Sequence, residues 1–569
     1  MKIVCLVKQV PAPGAIEFDS ETQTLRREGV PLVLNPFDAH AMRHAVALRA
    51  GGGGEIVALT MGPPQAQEAL RECLGLGADR AILLSDRVFG GADTLATSRT
   101  LALALEKEGF DLVLCGRKAI DAETAQVPPE VAAFLDVPHL TNVVALERDG
   151  GTLRATREAD DAEEVWEVPT PAVLVVTAAP SSHAAPQGGE RIDTWNALDL
   201  VDEVNEYDKR FGQNGSPTRV LAVHDVTPER ARFEASSAEQ ARTKIAQLLA
   251  ERAPPEPSWD KPPHAAERPA AHYDCWTFVE TRGRAPTRTS LELLARGRVL
   301  AGKLGGENVA LTFAAGEQLG RHGAERVVRV EANGLDGYHP ESWAAALRAV
   351  LQRRRPHVLL LPASATGRDF GPRAAGALQF GMTADCVGVD IAKAGRLLQQ
   401  KPAFGGNIVS IIMGATTPQL ATVRSRMYEP LGAREEHAVE ETERVELARP
   451  RLRLLERRVH DAAGAQLDEA DTVLLLGEGA PDMDHAVVGV TAAVVERGDA
   501  PRRRQVGLLG RQIAPRLLVA VGVPGTPEEI SGFVKARVVV SITGGAGMND
   551  RADVVLDGDP GQLVPALLA

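Results

Sequence analysis

The strongest constraint in this chain is a pattern that runs, stops and starts again. Ile3–Val7, Glu55–Met61, Arg80–Leu84 and Asp111–Gly116 have the length and apolar content of buried strands. Between them, Pro64–Leu76 and Thr94–Lys107 repeat apolar residues at helical spacing. Such alternation predicts a mostly parallel sheet with helices on both faces. It stops at Pro254–His272, where proline is too dense for a helix or sheet interior and the segment reads as a semi-rigid linker. It resumes with strands at Trp276–Glu280, Asn308–Phe313 and His357–Leu361 and helices at Ser290–Leu304 and Trp343–Gln352. A third unit begins near Ala470, with strands Val473–Leu476, Leu517–Val521 and Val538–Ile542. At 569 residues the chain exceeds one core. The expected class is α/β, with three doubly wound parallel-sheet units at 1–184, 273–445 and 446–569, an irregular arm at 185–253 and the linker at 254–272.

The net charge of -13 speaks against a nucleic-acid binder, because phosphate backbones need a concentrated basic face. The arginine runs Arg353–Arg355 and Arg502–Arg504 are short and read as solvated faces or helix ends. Five cysteines without a C-x-x-C pair make neither a disulfide framework nor a metal site, and Cys5 and Cys115 lie inside strand runs as core residues. No apolar run approaches the ~18 residues of a membrane helix, and Met1–Val7 is already a strand. A cytoplasmic protein, not integral to the membrane, is expected. There is no Walker loop, G-x-S-x-G or metal-spaced histidine set, and Gly477-Glu-Gly479 is only a fragment of G-x-G-x-x-G. No catalytic side chain and no metal are expected.

Ligands of doubly wound sheets sit at the carboxyl ends of the strands. One candidate is Leu34–Asp38 with Gly116–Gln126, where Pro36 biases Asn35 to extended backbone and Thr124 is placed to cap a helix. Asp93, Thr94, Thr97 and Ser98 add polar groups at another helix start. A second candidate joins Ala363–Asp369, Gly381–Asp385 and Lys401–Asn407. There Ser364, Thr366 and Gly367 lead from a strand into a helix, a geometry suited to phosphate. Arg368 could meet a phosphate or Asp369, and the Gly405-Gly406 pair permits close backbone approach. Taken singly, ordinary loops and caps explain each of these.

Met1–Val10, Leu34–Asp38, Met61–Leu70, Gly77–Arg80 and Gly116–Gln126 resemble the β subunit of electron-transfer flavoproteins. Ser290–Leu294, Thr366–Asp369, Thr383–Cys386, Lys401–Asn407 and Pro418–Arg424 resemble the α subunit. The chain therefore resembles a natural β–α fusion. The resemblance implies an adenine-nucleotide-hydrolase-like β part and first α domain, followed by an FAD-binding-like domain. It implies a redox carrier rather than a classical enzyme, taking electrons from a flavin-dependent dehydrogenase to a quinone reductase or iron–sulfur protein.

The implied cofactor is FAD, with AMP or a second FAD in the β site. Carried over, that site is Leu6, Asn35, Pro36, Phe37, Asp38, Met61, Asp93, Thr94 and Thr97. It continues through Gly116, Arg117, Lys118, Ala119, Ile120, Asp121, Thr124, Ala125, Gln126 and Val127, with Pro128 where the family carries glycine. The first α domain contributes Ser364, Thr366, Gly367, Arg368, Phe404, Gly405, Gly406 and Asn407.

The C-terminal unit departs from the family. Thr491, Gly507, Gly510, Gly525, Thr543 and Asp559 remain at its FAD positions, but Leu508 and Leu509 replace flavin-contacting polar residues. Glu478 replaces an arginine, Glu528 and Glu529 add negative charge, and the first helix is shortened to about Gly479–Thr491. Like charge and lost charge-assisted contacts, at about 1–3 kcal/mol each, predict a weakened or lost FAD site there. The flavin is then expected between the β part and the first α domain. The acidic stretch Ser181–Tyr207 lacks the basic, Leu-Pro-rich loop by which the family meets acyl-CoA dehydrogenases. Two alternatives stay open: a two-FAD, electron-bifurcating NADH oxidiser, and a non-redox AMP-binding scaffold.

Overall fold

A computed structural model describes residues 1–15, 17–19, 24–26, 29–180, 188–205, 207–264, 273–314, 318–460, 467–481, 483 and 487–568. Part of the expected linker (265–272) and part of the acidic stretch (181–187 and 206) lie outside them.

Each of the three units is built on a sheet whose central strands are parallel. In the first, Lys2–Leu6 lies between Glu55–Met61 and Leu112–Gly116. Its residues alternate between two cores. Ile3 and Cys5 pack with Met42 and Ile56 on one face, and Val4 and Leu6 with Leu59 and Leu101 on the other. Burial on both faces is why these strands read as continuous apolar runs. In the second unit Cys275–Phe278 sits between Asn308–Thr312 and Val358–Pro362. In the third, Leu517–Val521 sits between Thr472–Leu476 and Val538–Ile542. All five cysteines are free and buried.

Two sequence expectations change. The arm is not irregular: Arg191–Trp195 adds to the first sheet, Thr218–Asp225 pairs with Ile408–Gly414, and Phe233–Glu234 joins the third sheet beside Val554–Leu556. Helix Ala238–Glu251 buries Ala241, Ile245 and Leu248 in the third core. These strands find their partners far along the chain, so local periodicity does not announce them. The segment near 479–491 is not one short helix; it carries strand Val488–Val490 and then helix Ala492–Glu496. β-branched valines favour the strand.

The first unit also continues beyond its parallel strands. His139–Asp149, Thr152–Glu158 and Ala162–Val168 form an antiparallel ribbon, and Arg453–Val459 from the second half completes it. Arg453 pairs with Glu167 at 2.6 Å and Arg457 with Asp161 at 2.7 Å along that edge. The chain thus crosses twice between halves, the arm going forward and this strand coming back.

Gly116 fixes how closely the helix Pro36–Ala50 approaches the end of Leu112–Gly116. A Cβ there would lie 2.3 Å from Asp38 Oδ1 and 2.6 Å from the Phe37 carbonyl carbon. Gly116→Ala is expected to lower stability by about 1–3 kcal/mol through overpacking. A urea midpoint equal to that of the parent would show that the helix moves away without cost.

Candidate functional site

The carboxyl ends of strands from the first two units face one cleft of about 780 Å³, and loops of the third unit form its remaining wall. Arg117 and Lys118 follow strand Leu112–Gly116, and Thr177 follows Ala172–Val176. Glu280 and Ser364 lie just beyond Cys275–Phe278 and Val358–Pro362. Arg502 and Leu509–Ile513 come from the third unit.

Glu123 binds the three units together. Its carboxylate accepts from Lys118 Nζ at 2.7 Å, from Gly405 N at 3.0 Å and from Gln512 Nε2 at 2.8 Å. Arg424 lies at 3.6 Å, and Lys401 Nζ donates to the Glu123 carbonyl at 3.2 Å. Burial alone would raise this carboxyl; the Lys118, Arg424 and Lys401 charges prevail and hold it at about 2. Burial pushes Lys401 down to about 8 despite the facing Asp385 and Glu123.

Around this node the backbone is unusual. Glu123 and Ala125 adopt left-handed φ of 50° and 55°, and the helix begins only at Val127, with Pro128 and Pro129 in its first turn. Proline costs nothing there because those N–H groups have no helical acceptor. Thr124 is therefore not the cap. Gln126 precedes the helix, and its side chain reaches Met382 O at 3.0 Å in the second unit.

Pro36 opens a helix, Asn35 before it is extended as expected, with φ -54° and ψ 125°, and Asn35 Nδ2 donates to Lys118 O at 3.0 Å. Asp38 accepts from Lys8 N at 2.8 Å, and burial raises its carboxyl to about 7. Asp121 pairs with Lys8 at 2.6 Å, and Phe404 N donates to Asp121 O at 3.2 Å. Asp93 caps helix Thr94–Glu108, and Thr94 Oγ1 reaches Glu130 at 3.3 Å. Thr97 is half-buried on that helix, and Leu6 and Met61 pack in the core cluster of that face. Asn407 accepts from Val226 N of the arm at 2.7 Å.

The expected phosphate nest of the second unit, and one turn of the third, are filled by the chain's own carboxylates. At the start of helix Gly367–Leu378, Asp160 accepts from Ala365 N at 2.9 Å and Thr366 N at 3.3 Å. Ser364 Oγ accepts from Gly367 N at 2.8 Å and donates to Glu280 at 2.7 Å. Burial and the neighbouring Asp160 raise Glu280 to about 8. Arg368 pairs with Asp385, not with Asp369. In the third unit Glu529 accepts from Gly525 N at 2.8 Å and Thr526 N at 2.9 Å.

The two glycine turns of that unit close on each other. Leu508 N donates to Glu528 O at 2.8 Å, and the Leu508 side chain packs with Val10, Phe37 and Ile120 of the first unit, with Ala119 and Leu509 at the edge. Gly507 packs so close to Glu528 that a Cβ would stand 3.1 Å from its carbonyl oxygen, and Gly510 would meet the Gln505 carbonyl oxygen at 2.4 Å. Glu478 is held by Arg497 at 3.0 Å, Thr543 donates to Ile542 O at 2.8 Å, and Asp559 accepts from Gly561 N at 2.9 Å. The Thr491 hydroxyl is buried without a hydrogen-bond partner among the described residues. With its amides occupied by Glu529 and its turns in contact, this part of the lobe does not fit a dinucleotide diphosphate. The cleft has room for one, and its wall mixes arginines and lysines with as many carboxylates.

Sequence reasoning missed Asp160, Glu280, Arg511 and Gln512, which are supplied across units; Glu123, Asp385 and Arg424 lay inside stretches it singled out, but with no role of their own. Arg502 is a correction. It is not solvated but turns to Thr177, donating to its backbone carbonyl and, at 3.2 Å, to its hydroxyl. Among the described residues no group of His, Cys, Asp and Glu could hold a metal, and no helix is long and apolar enough to cross a membrane.

The electron transfer flavoprotein domain matches residues 22–200 and 275–450, and the electron transfer flavoprotein FAD-binding domain matches 456–534. The chain belongs to the electron transfer flavoprotein family. The electron transfer flavoprotein subunit beta of Thermoanaerobacterium thermosaccharolyticum is 41% identical over 235 residues, which are 41% of this chain and 90% of that protein. The caffeyl-CoA reductase-Etf complex subunit CarD of Acetobacterium woodii is 42% identical over 226 residues, 39% of this chain and 86% of its own length. Protein FixA of Sinorhizobium fredii is 37% identical over 268 residues, 44% of this chain and 92% of its own length. These relatives match the β-like half, and the α-type FAD-binding domain follows in the same chain, so the chain is a β–α fusion.

Proposed function

We propose that this fused electron transfer flavoprotein holds one FAD in the cleft between its three units, rather than inside its C-terminal lobe. The observation that carries this reading is the convergence of strand ends from two units, and a loop of the third, on one cleft of about 780 Å³, whose wall gathers Arg117, Arg502 and Arg511 in a lining otherwise balanced between acidic and basic side chains. The flavin, when bound, supplies one- and two-electron chemistry. The chain's own residues bind it, orient it and exclude water. No side chain is needed as acid or base. The donor is a flavin-dependent dehydrogenase, and the acceptor a quinone reductase or iron–sulfur protein, in the cytoplasm. The similarity to a subunit of a reductase–Etf complex supports a partner of that kind.

Denaturing the purified chain and counting the released nucleotides by chromatography tests the proposal. One FAD per chain is expected. Two would favour the electron-bifurcating alternative, and a colourless protein releasing AMP alone would favour the scaffold.

A further inference from the structure

We infer that Arg117, Arg502 and Arg511 form a diphosphate-recognition site on the cleft wall, built jointly by the first and third units. The inference rests on the reading of the cleft as the nucleotide site and names the residues that grip the ligand.

Arg117 is the centre of the argument. It follows a buried strand, is half-buried itself, and has no hydrogen bond or ion pair with any described residue. Among the charges that act on it most, Arg368, Arg511 and Arg502 repel it and Asp468 opposes them. Burial and this repulsion bring Arg117 down to about 10, so it still carries its charge at neutral pH. Arg502 donates to Thr177 and, at 3.0 Å, to Leu509 O, with no carboxylate in ion-pair range. Arg511 spends Nη1 on Asp468 at 2.6 Å and Nε on Arg503 O at 3.1 Å, leaving Nη2 uncommitted. The Nε atom of Arg503 is buried with no hydrogen-bond partner among the described residues.

A guanidinium cannot escape burial by losing its proton, and leaving it unpaired is costly. Elsewhere this fold supplies internal anions: Asp160 fills one helix end, Glu529 fills one turn, and Glu123 collects Lys118 and Arg424. Around Arg117 that provision is only partial: Asp468 pairs with Arg511, while Glu158 and Asp160 act on the cluster without an ion pair to it among the described residues. Planar guanidinium forks match phosphate oxygens two at a time, and several forks from two walls suit two linked phosphates. A nucleic acid is the wrong guest, because Glu158, Asp160, Asp161 and Glu164 line the same cleft and repel a longer polyanion. The ligand class is therefore a nucleoside diphosphate, free or as half of a dinucleotide.

The test uses the full chain freed of bound nucleotide, titrated calorimetrically with inorganic pyrophosphate, ADP and FAD. Arg117→Met and Arg511→Met should each weaken pyrophosphate and ADP binding by about tenfold, the worth of one charge-assisted contact. Arg117→Lys should recover part of the loss. The ligand-free Arg117→Met chain should unfold at the same or higher urea than the parent, whereas a merely structural arginine would lower the midpoint. Tighter binding of FAD than ADP, with loss of both in the variants, assigns the dinucleotide; equal affinities assign the free diphosphate. Loss of pyrophosphate binding in variants of a protein that never contains flavin would uphold this site while overturning the flavin reading. Flavin retained at parental affinity in both Met variants, with pyrophosphate unable to compete, would overturn this site and leave the flavin reading standing.

Discussion

Asp369→Ala is expected to destabilise the seam between the two halves by about 3–5 kcal/mol, the cost of removing one partner from a buried ion pair. Asp369 is fully buried in the second unit. His139 Nε2 lies 2.6 Å from its carboxylate, Arg157 Nη1 3.2 Å and Tyr338 Oη 2.5 Å. His139 and Arg157 come from the ribbon of the first unit, so a single carboxylate draws both halves together. Without it Arg157, whose Nε and Nη2 atoms have no hydrogen-bond partner among the described residues, keeps Glu164 at 3.7 Å and the face of the Tyr338 ring. Burial alone would raise the Asp369 carboxyl; His139 and Arg157 prevail and hold it at about 2 against an ordinary 3.8.

A folded-state value below the unfolded one means that the stabilisation is complete above about pH 4 and is lost as pH falls towards 2. In Asp369→Ala this acid-side slope should shrink. The double variant Asp369→Leu with Arg157→Met should recover most of the loss, because a well-packed apolar pair can replace a buried ion pair. Urea midpoints measured from pH 3 to 7 check both statements. An Asp369→Ala midpoint within error of the parent would sink the assignment.

The sequence announced whatever depends on neighbours in the chain. Glu55–Met61, Arg80–Leu84, Leu517–Val521 and Val538–Ile542 were readable to the residue because burial on both faces leaves an uninterrupted apolar run. Strands such as Thr218–Asp225 and Arg453–Val459 were not readable. They carry mixed, largely exposed side chains and are defined by partners about 190 and 290 residues away in the chain. The same division holds for the site. Gly116 and Arg117 follow a visible strand, so their place at a ligand-binding edge could be argued locally. Glu123 lay inside the Gly116–Gln126 stretch with no role of its own, although its carboxylate joins all three units. Arg502 sat in a run of three arginines that resembles any solvated turn, and only the fold turns it inward. What carries charge across a seam has no periodicity, and therefore no local signature.

Glu123→Ala should loosen the third unit from the other two. Three cations, Lys118, Lys401 and Arg424, would be left facing each other around Asp385, which already serves Arg368 and Arg424. The Lys401–Asn407 turn would lose its anchor at Gly405 N, and the third unit its contact through Gln512. The expected cost is again about 3–5 kcal/mol, with amide exchange rising around 502–531 rather than across the first sheet. Glu123→Gln keeps an acceptor for Gly405 and Gln512 but not the charge, so it should fall between the parent and the alanine variant.

The pH dependence separates this carboxyl from others in the same interior. Glu123, held at about 2 against an ordinary 4.5, adds stability that is lost as pH drops below about 4.5. Glu280 and Glu130, raised mainly by burial to about 8, bind protons more tightly folded than unfolded, so stability falls as pH climbs from 4.5 towards 8. The parent should therefore be most stable between these windows. Glu123→Ala should flatten only the acid side, and Glu280→Gln only the alkaline side. If Glu123→Ala changed the alkaline limb and left the acid limb intact, the charge on Glu123 would not be what joins the three units.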